Sequence, residues 1–83
     1  MADYSIVSMQ ADKIDVLSND LEAKISSLEA LRVRIKGEWC GPVSEEYQNQ
    51  LSRLIADMIA TRQGLNEAAS TIREMVIAQN KMS

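Results

Sequence analysis

Hydrophobic residues in the first half of the chain recur at the spacing of an α-helix. Ile14, Leu17, Leu21, Leu28, Leu31 and Ile35 follow one another at steps of three, four and seven, and Ile25 stands beside the one gap, at Lys24. This spacing places side chains on one face of a helix, whereas a strand would alternate apolar and polar positions. The pattern predicts an amphipathic helix over residues 8–36, approximately.

The second half carries a similar stripe. It runs through Tyr47, Leu51, Leu54, Met58, Leu65, Ala68, Ile72, Met75 and Met82, with Thr61 and Gln79 as polar interruptions. A second apolar set, Ile55, Ile59, Ala69 and Val76, lies beside the stripe and widens the apolar face. We predict a second helix over residues 43–80, approximately, in which Gly64 costs about 1 kcal/mol relative to alanine.

The strong helix breakers fall together in residues 37–42, between the two stripes. Gly37 suits the left-handed position just past a helix end, and Pro42 suits the first position of a new helix. Acidic residues such as Asp12 and Asp15 lie early in the first predicted helix. Their negative charge is expected to be stabilised by the positive end of the helix dipole. The predicted fold is an all-α, antiparallel two-helix hairpin that forms a single domain over residues 1–83.

The apolar face is wider than one neighbouring helix covers. A wide stripe is typical of helices that contact two neighbours, as in a four-helix bundle. We therefore expect the hairpin to dimerise into such a bundle; the alternative is a monomer with exposed aliphatic side chains. The predicted core or interface contains Ile14, Leu17, Leu21, Leu28, Leu31, Tyr47, Leu51, Leu54, Met58, Leu65 and Ile72.

The residue types needed for catalysis or metal binding are scarce. The chain has no histidine and one cysteine, Cys40, which excludes an internal disulfide and the usual zinc, iron or copper ligand sets. Glu45 and Glu46 are interpreted as acids at a helix start. We predict no catalytic residue, no cofactor, no metal and no enzyme activity. Cys40 is interpreted as a small apolar filler, with a redox role as the alternative.

Charge and hydropathy exclude two further classes of partner. The net charge is −3, and acidic and basic residues are mixed along the chain without a basic stripe that would follow a phosphate backbone. No apolar run approaches the roughly 20 residues of a membrane-spanning helix, and the N-terminus lacks the pattern of a signal peptide. We expect no nucleic-acid binding, no transmembrane segment and no cleaved leader.

A Trp-x-Gly turn, Trp39-Cys40-Gly41, separates the two predicted helices, and Tyr47 follows the tryptophan by eight residues. In these features the chain resembles the WXG family of small type VII secretion substrates, which includes the mycobacterial early secreted antigenic targets. The resemblance implies helical hairpins that pair into homodimeric or heterodimeric four-helix bundles and leave bacteria folded, through a machine driven by a membrane ATPase. It also implies that Trp39 and Gly41 form a turn presented to that machine or to a partner.

One family feature is missing. The export signal of the family often adds a Tyr-x-x-x-Asp/Glu tail, but no tyrosine follows Tyr47, and Leu51 stands four residues after it. We therefore expect a partner to supply this part of the signal. The predicted function is a dimeric binding module that is cytoplasmic before export and then secreted. The alternatives are a companion that pairs with the helical N-terminal region of a larger secreted toxin, or a cytosolic helical adaptor that is not exported.

Overall fold

Two long α-helices in contact with each other make up the fold. A computed structural model describes residues 4–38 and 41–82, with α1 spanning Tyr4–Glu38 and α2 spanning Pro42–Met82. The described residues contain no strand. The helices run antiparallel in a rod of 64 × 14 × 12 Å. The prediction of an all-α helical hairpin is confirmed.

The turn between the helices differs from the prediction. α1 begins at Tyr4, earlier than predicted, and continues through Gly37 to Glu38. The left-handed position predicted for Gly37 is therefore wrong; Gly41 has the positive φ, at 106°. Glycine adopts this φ without the clash that a Cβ would cause. Trp39 and Cys40 lie outside the described residues.

The two helices differ in the acidic residues of their first turns. α2 begins at Pro42 with Glu45 in its first turn, and the Glu45 N–H donates to the Gly41 carbonyl oxygen at 3.2 Å. α1, in contrast, has no acidic residue in its first turn. Because α1 starts at Tyr4, Asp12 lies more than two turns inside it, beyond the reach of the helix-end charge. The predicted dipole role of the early acids in α1 is therefore wrong.

The contact between the helices follows a coiled-coil repeat. We term its members the seam. In α2 they are Ser44, Gln48, Leu51, Ile55, Met58, Arg62, Leu65, Ala69, Ile72 and Val76, all buried or half-buried at alternating steps of four and three. In α1 they include Ser8, Ala11, Asp15, Ser18, Leu21, Ile25, Leu28, Arg32 and Ile35. An average step of 3.5 residues keeps each helix facing its neighbour along the whole rod.

The buried apolar part of the seam is thin. Among the described residues it comprises Ala11, Ile25, Ile35, Leu51, Ile55 and Ala69. Ile25, Ile55 and Ala69 were predicted to lie beside the main stripe, and here they lie inside the hairpin. Leu17 and Leu54 were predicted to lie in the bundle core, and they are exposed in the single chain. The face of each helix that meets the other helix is thus rotated away from Leu17 and Leu54, toward Ile25, Ile55 and Ala69.

Candidate functional site

One side of the hairpin is held together by charged side chains. Arg73 of α2 donates from Nη2 to Asp12 Oδ1 at 2.8 Å and to Asp15 Oδ2 at 2.6 Å. These hydrogen bonds, the one to Asp15 more than the one to Asp12, raise the pKa of Arg73. Arg62 donates from Nη2 to Glu22 Oε2 at 2.9 Å. We term this side, comprising Asp12, Asp15, Glu22, Arg62 and Arg73, the polar edge.

Polar contacts also cross the seam and fix the alignment of the helices. Ser18 Oγ donates to Asn66 Oδ1 at 2.6 Å, and nearer the turn Arg32 Nη1 donates to Ser52 Oγ at 3.1 Å. Gln48 Nε2 donates to the Arg32 carbonyl oxygen at 3.0 Å. Because each bond joins specific atoms, sliding one helix along the other would break all three. Position 18 is therefore level with position 66, and position 32 with position 52.

The other side of the hairpin presents apolar side chains from both helices. We term it the apolar edge; its members are Val7, Leu17, Leu21, Leu28, Leu31, Tyr47, Leu54 and Met75. Surface depressions show that the two helices contribute to the same side. Val7 and Met75 line one depression. Leu17 and Leu21 line a second together with Leu65 of α2.

The remaining members follow from the helical repeat. Tyr47 and Leu54, seven residues apart, line a third depression. Leu28 stands seven residues after Leu21, and Leu31 stands fourteen after Leu17. Residues separated by multiples of seven lie on one side of a helix in a coiled coil. The apolar edge therefore extends from the open end of the hairpin to the start of α2.

The two edges differ in whether their side chains have partners within the chain. The charged groups named on the polar edge pair with each other across the helices. On the apolar edge Leu17 is 57% exposed and Leu54 is 46% exposed. Exposed apolar side chains gathered on one side of a molecule, with polar residues beside them, are typical of a protein-binding surface. The apolar edge is the candidate functional site.

The predicted core residues differ in burial, and Leu21 and Leu28 belong to both the seam and the apolar edge. Leu51 is buried in the seam, and the half-buried members are Ile14, Leu21, Leu28, Met58, Leu65 and Ile72. The exposed ones are Leu17, Leu31, Tyr47 and Leu54. Burial of these four against a second hairpin stays a prediction. Of the predicted turn motif, Gly41 is exposed just before α2, and Trp39 lies outside the described residues.

Sequence reasoning missed the polar members of the seam. Ser18 is 2% exposed although it is a serine, and Arg62 and Arg32 are half-buried. A stripe defined by apolar residues alone leaves out these polar positions. The signal was available in α2, where steps of four and three continue without a break through Gln48 and Arg62. Following the period through polar residues would have identified the seam.

The described residues contain neither a cluster of side chains suited to a metal ion nor a helix suited to crossing a membrane. In residues 4–38 and 41–82 no group of three or more cysteine, aspartate or glutamate side chains is arranged to hold a metal ion. Neither α1 nor α2 is long and apolar enough over its described length to cross a membrane.

Comparison with known proteins gives no relative for this chain. No protein-family model matches it, and searches of curated proteins and of solved structures found no match either.

Proposed function

We propose that this chain is a helical binding module whose apolar edge packs against a second helical hairpin to form a four-helix bundle. The observation that carries the proposal is the contrast between the two edges. Charged groups on the polar edge already have partners within the chain, whereas Leu17, Leu31 and Leu54 of the apolar edge are exposed. A second hairpin laid on the apolar edge would remove these leucines from water.

Burial of apolar side chains is the source of energy for such packing. Burying one leucine side chain fully contributes about 1.5–3 kcal/mol. The apolar edge carries several partly exposed leucines, among them Leu17, Leu31 and Leu54. Association itself costs about 4–15 kcal/mol in lost freedom of motion. About half of each of these side chains remains to be buried, so the apolar edges of two hairpins together contribute an energy of the same order as that cost.

Export by a type VII secretion system is the second part of the proposal. It is supported by the Trp39-Cys40-Gly41 sequence between two long helices and by Tyr47. In this setting the module leaves the bacterium as a folded dimer. The same apolar edge would serve a companion of a larger secreted toxin, or a cytosolic adaptor.

Association is tested by sedimentation of two neighbouring variants. Leu17 lies on the apolar edge, whereas Val16 is similarly exposed, at 59%, but lies about 100° further around the helix. We expect the parent chain to form dimers at micromolar concentration. Leu17→Gln should weaken the dimer, and Val16→Gln should leave it intact. A parent chain that sediments as a compact monomer throughout this range would overturn the proposal.

Export is tested by the location of the chain in its native bacterium. The intact chain should collect in the culture medium of the parent strain and stay inside cells that lack the secretion ATPase. Its retention in cells of both strains would favour the cytosolic adaptor. Co-purification with the helical N-terminal region of a larger secreted protein would favour the companion.

A further inference from the structure

Three methionines of the described helices differ in their access to solvent. Met75 is 61% exposed and Met9 is 54% exposed, whereas Met58 is half-buried in the seam. Peroxides oxidise the thioether sulfur of methionine to a sulfoxide, and the oxidant must reach the sulfur to do so. Met75 and Met9 are therefore open to oxidation in the folded hairpin, and the neighbouring helix shields Met58.

Met75 differs from Met9 in its place on the hairpin. It belongs to the apolar edge, where it stands three heptads after Leu54 and lines a depression together with Val7 of α1. Met9 follows Val7 by two residues, which places it about 200° further around α1, on the outer surface. A chemical change at Met75 therefore alters the candidate functional site, whereas the same change at Met9 does not.

Methionine suits a surface that packs against another helix. Its unbranched side chain is flexible and adapts to an irregular apolar neighbour. The depression at Met75 is also lined by Tyr4, Val76 and Gln79. As a thioether, Met75 thus extends the apolar surface of Leu54 toward the open end of the hairpin.

Oxidation of this thioether by hydrogen peroxide is a balanced two-electron step. The Met75 sulfur attacks one peroxide oxygen, so an S–O bond forms and the O–O bond breaks. The departing hydroxide takes up the proton that remains on the transferred oxygen and leaves as water. The sulfur is oxidised to the sulfoxide and the peroxide is reduced. Methionine sulfoxide reductases reverse the change.

A sulfoxide at Met75 affects the apolar edge more than it affects the fold. Its oxygen is polar, and water solvates that oxygen in the free chain because Met75 is exposed. A helix that covers Met75 would displace this water and place apolar side chains against the oxygen. Burying a polar group without a hydrogen bond is unfavourable. Oxidation of Met75 should therefore oppose association and leave the hairpin folded.

We infer that Met75 is an oxidation site for hydrogen peroxide, and that its sulfoxide weakens the binding of a second helical hairpin to the apolar edge. The effect on binding rests on the proposed function, because it concerns the surface to which that function assigns binding. The oxidation site itself rests on the exposure and position of Met75. Binding and oxidation oppose each other, since a partner that covers Met75 also shields its sulfur.

Mass spectrometry of peptides after timed exposure to hydrogen peroxide tests the oxidation site. The chain carries Cys40→Ser, because a thiol also reacts with peroxide. Trypsin cuts after lysine and arginine, so Met75 lies in peptide 74–81 and Met58 in peptide 54–62, each as the sole methionine. In the monomer, Met75 should be oxidised several-fold faster than Met58. A Met75 rate as low as that of Met58 would overturn the assignment.

Sedimentation before and after oxidation tests the effect on binding, again with Cys40→Ser in every chain. A peroxide dose that converts Met75 and spares Met58 should raise the dissociation constant of the dimer by about tenfold. Met75→Leu keeps a similar apolar volume without a sulfur atom, so its dimer should withstand the same dose. Met9→Leu is the matched control and should lose affinity as the parent chain does. A methionine sulfoxide reductase should restore the dimer.

The outcomes distinguish the inference from the proposed function. A dimer that keeps its affinity although Met75 is oxidised would overturn the effect on binding. A Met75→Leu dimer that peroxide weakens as much as the parental dimer would overturn it as well. A parent chain that forms no dimer would overturn the proposed function and this effect together, whereas the oxidation rates would still decide the oxidation site.

Protection from peroxide provides an independent check. Above the dissociation constant of the dimer, Met75 should be oxidised several-fold more slowly than below it, because the partner covers its sulfur. Met9, on the outer surface of α1, should be oxidised at the same rate at both concentrations. Equal rates for Met75 at both concentrations, in a chain that sediments as a dimer, would show that the partner leaves Met75 uncovered and would overturn the inference.

Discussion

Ser18 of α1 and Asn66 of α2 are joined across the hairpin by a hydrogen bond of 2.6 Å, from the serine Oγ to the asparagine Oδ1. The serine is 2% exposed, whereas the asparagine is exposed. The bond therefore satisfies a buried hydroxyl near the middle of the rod. Since an apolar seam tolerates sliding by one heptad, a polar contact of this kind specifies the alignment of the two helices.

The Ser18–Asn66 bond predicts unequal costs for its two deletions. Asn66→Ala leaves a buried hydroxyl without this acceptor and should lower the free energy of unfolding by about 1–3 kcal/mol. Ser18→Ala leaves only a solvated amide and should cost about 0.5–1.5 kcal/mol. The double variant should be no less stable than Asn66→Ala. Urea unfolding measures the free energy of unfolding of the two single variants and the double variant. Asn49→Ala, at an exposed position of α2, measures how much the higher helix propensity of alanine alone changes stability. Equal costs for the two single variants would show that the serine finds another acceptor.

Arg73 is predicted to hold the open end of the hairpin closed. Its guanidinium bridges Asp12 and Asp15, and these hydrogen bonds raise its pKa. Arg73→Gln should speed amide hydrogen exchange in the first turns of α1 and the last turns of α2, because those turns lose their link. Exchange near Ile35 and Leu51 should stay unchanged. Arg53→Gln is the control, and equal exchange in both variants would deny Arg73 this role.

Substitutions of two neighbouring residues of α2, Leu54 and Ile55, should have different effects on folding and on association. Ile55 is 5% exposed in the seam, so Ile55→Ala should cost about 2–5 kcal/mol of unfolding free energy. Leu54, on the apolar edge, should cost less than about 1 kcal/mol when changed to alanine in the monomer, because a partly exposed side chain loses few contacts. Leu54→Ala should instead weaken the dimer. Denaturation below the dimer dissociation constant, together with sedimentation above it, distinguishes these effects. A larger folding cost for Leu54 would place it in the core.

The sequence predicts the two-helix hairpin correctly. It does not predict which face of each helix contacts the other helix. Helical spacing identified two helices, and Pro42 with Glu45 marked the start of α2 correctly. Hydrophobic spacing does not say which of two adjacent stripes faces the other helix of the same chain. That choice depends on polar contacts such as Ser18 with Asn66, which become evident only when both helices are placed together. Leu54, prominent in the sequence pattern, therefore lies outside, and Ile55 lies inside.

The glycine just before α2 and the glycine within it predict opposite results on substitution by alanine. Gly41 has a φ of 106°, where a Cβ is strained, so Gly41→Ala should lower stability by about 1–2 kcal/mol. Gly64 lies within α2, and an added Cβ would meet no atom within 4 Å. Gly64→Ala should raise stability by about 1 kcal/mol through helix propensity alone. The midpoint of thermal unfolding, measured for each variant and for the parent chain, tests both predictions. A stabilising Gly41→Ala would show that the turn readily adopts another conformation.

Trp39 is predicted to act in export more than in folding. The described helices contact each other from the open end to Gln48 and Arg32, so the hairpin has contacts along its length that do not involve the turn residues. Trp39→Ala should therefore keep its helical circular dichroism and its dimer, yet fail to reach the culture medium of the native bacterium. Cys40→Ser, the adjacent substitution, is the control and should be exported like the parent chain. Unfolding of Trp39→Ala would make the tryptophan a structural anchor, and normal export of a folded variant would exclude it from recognition.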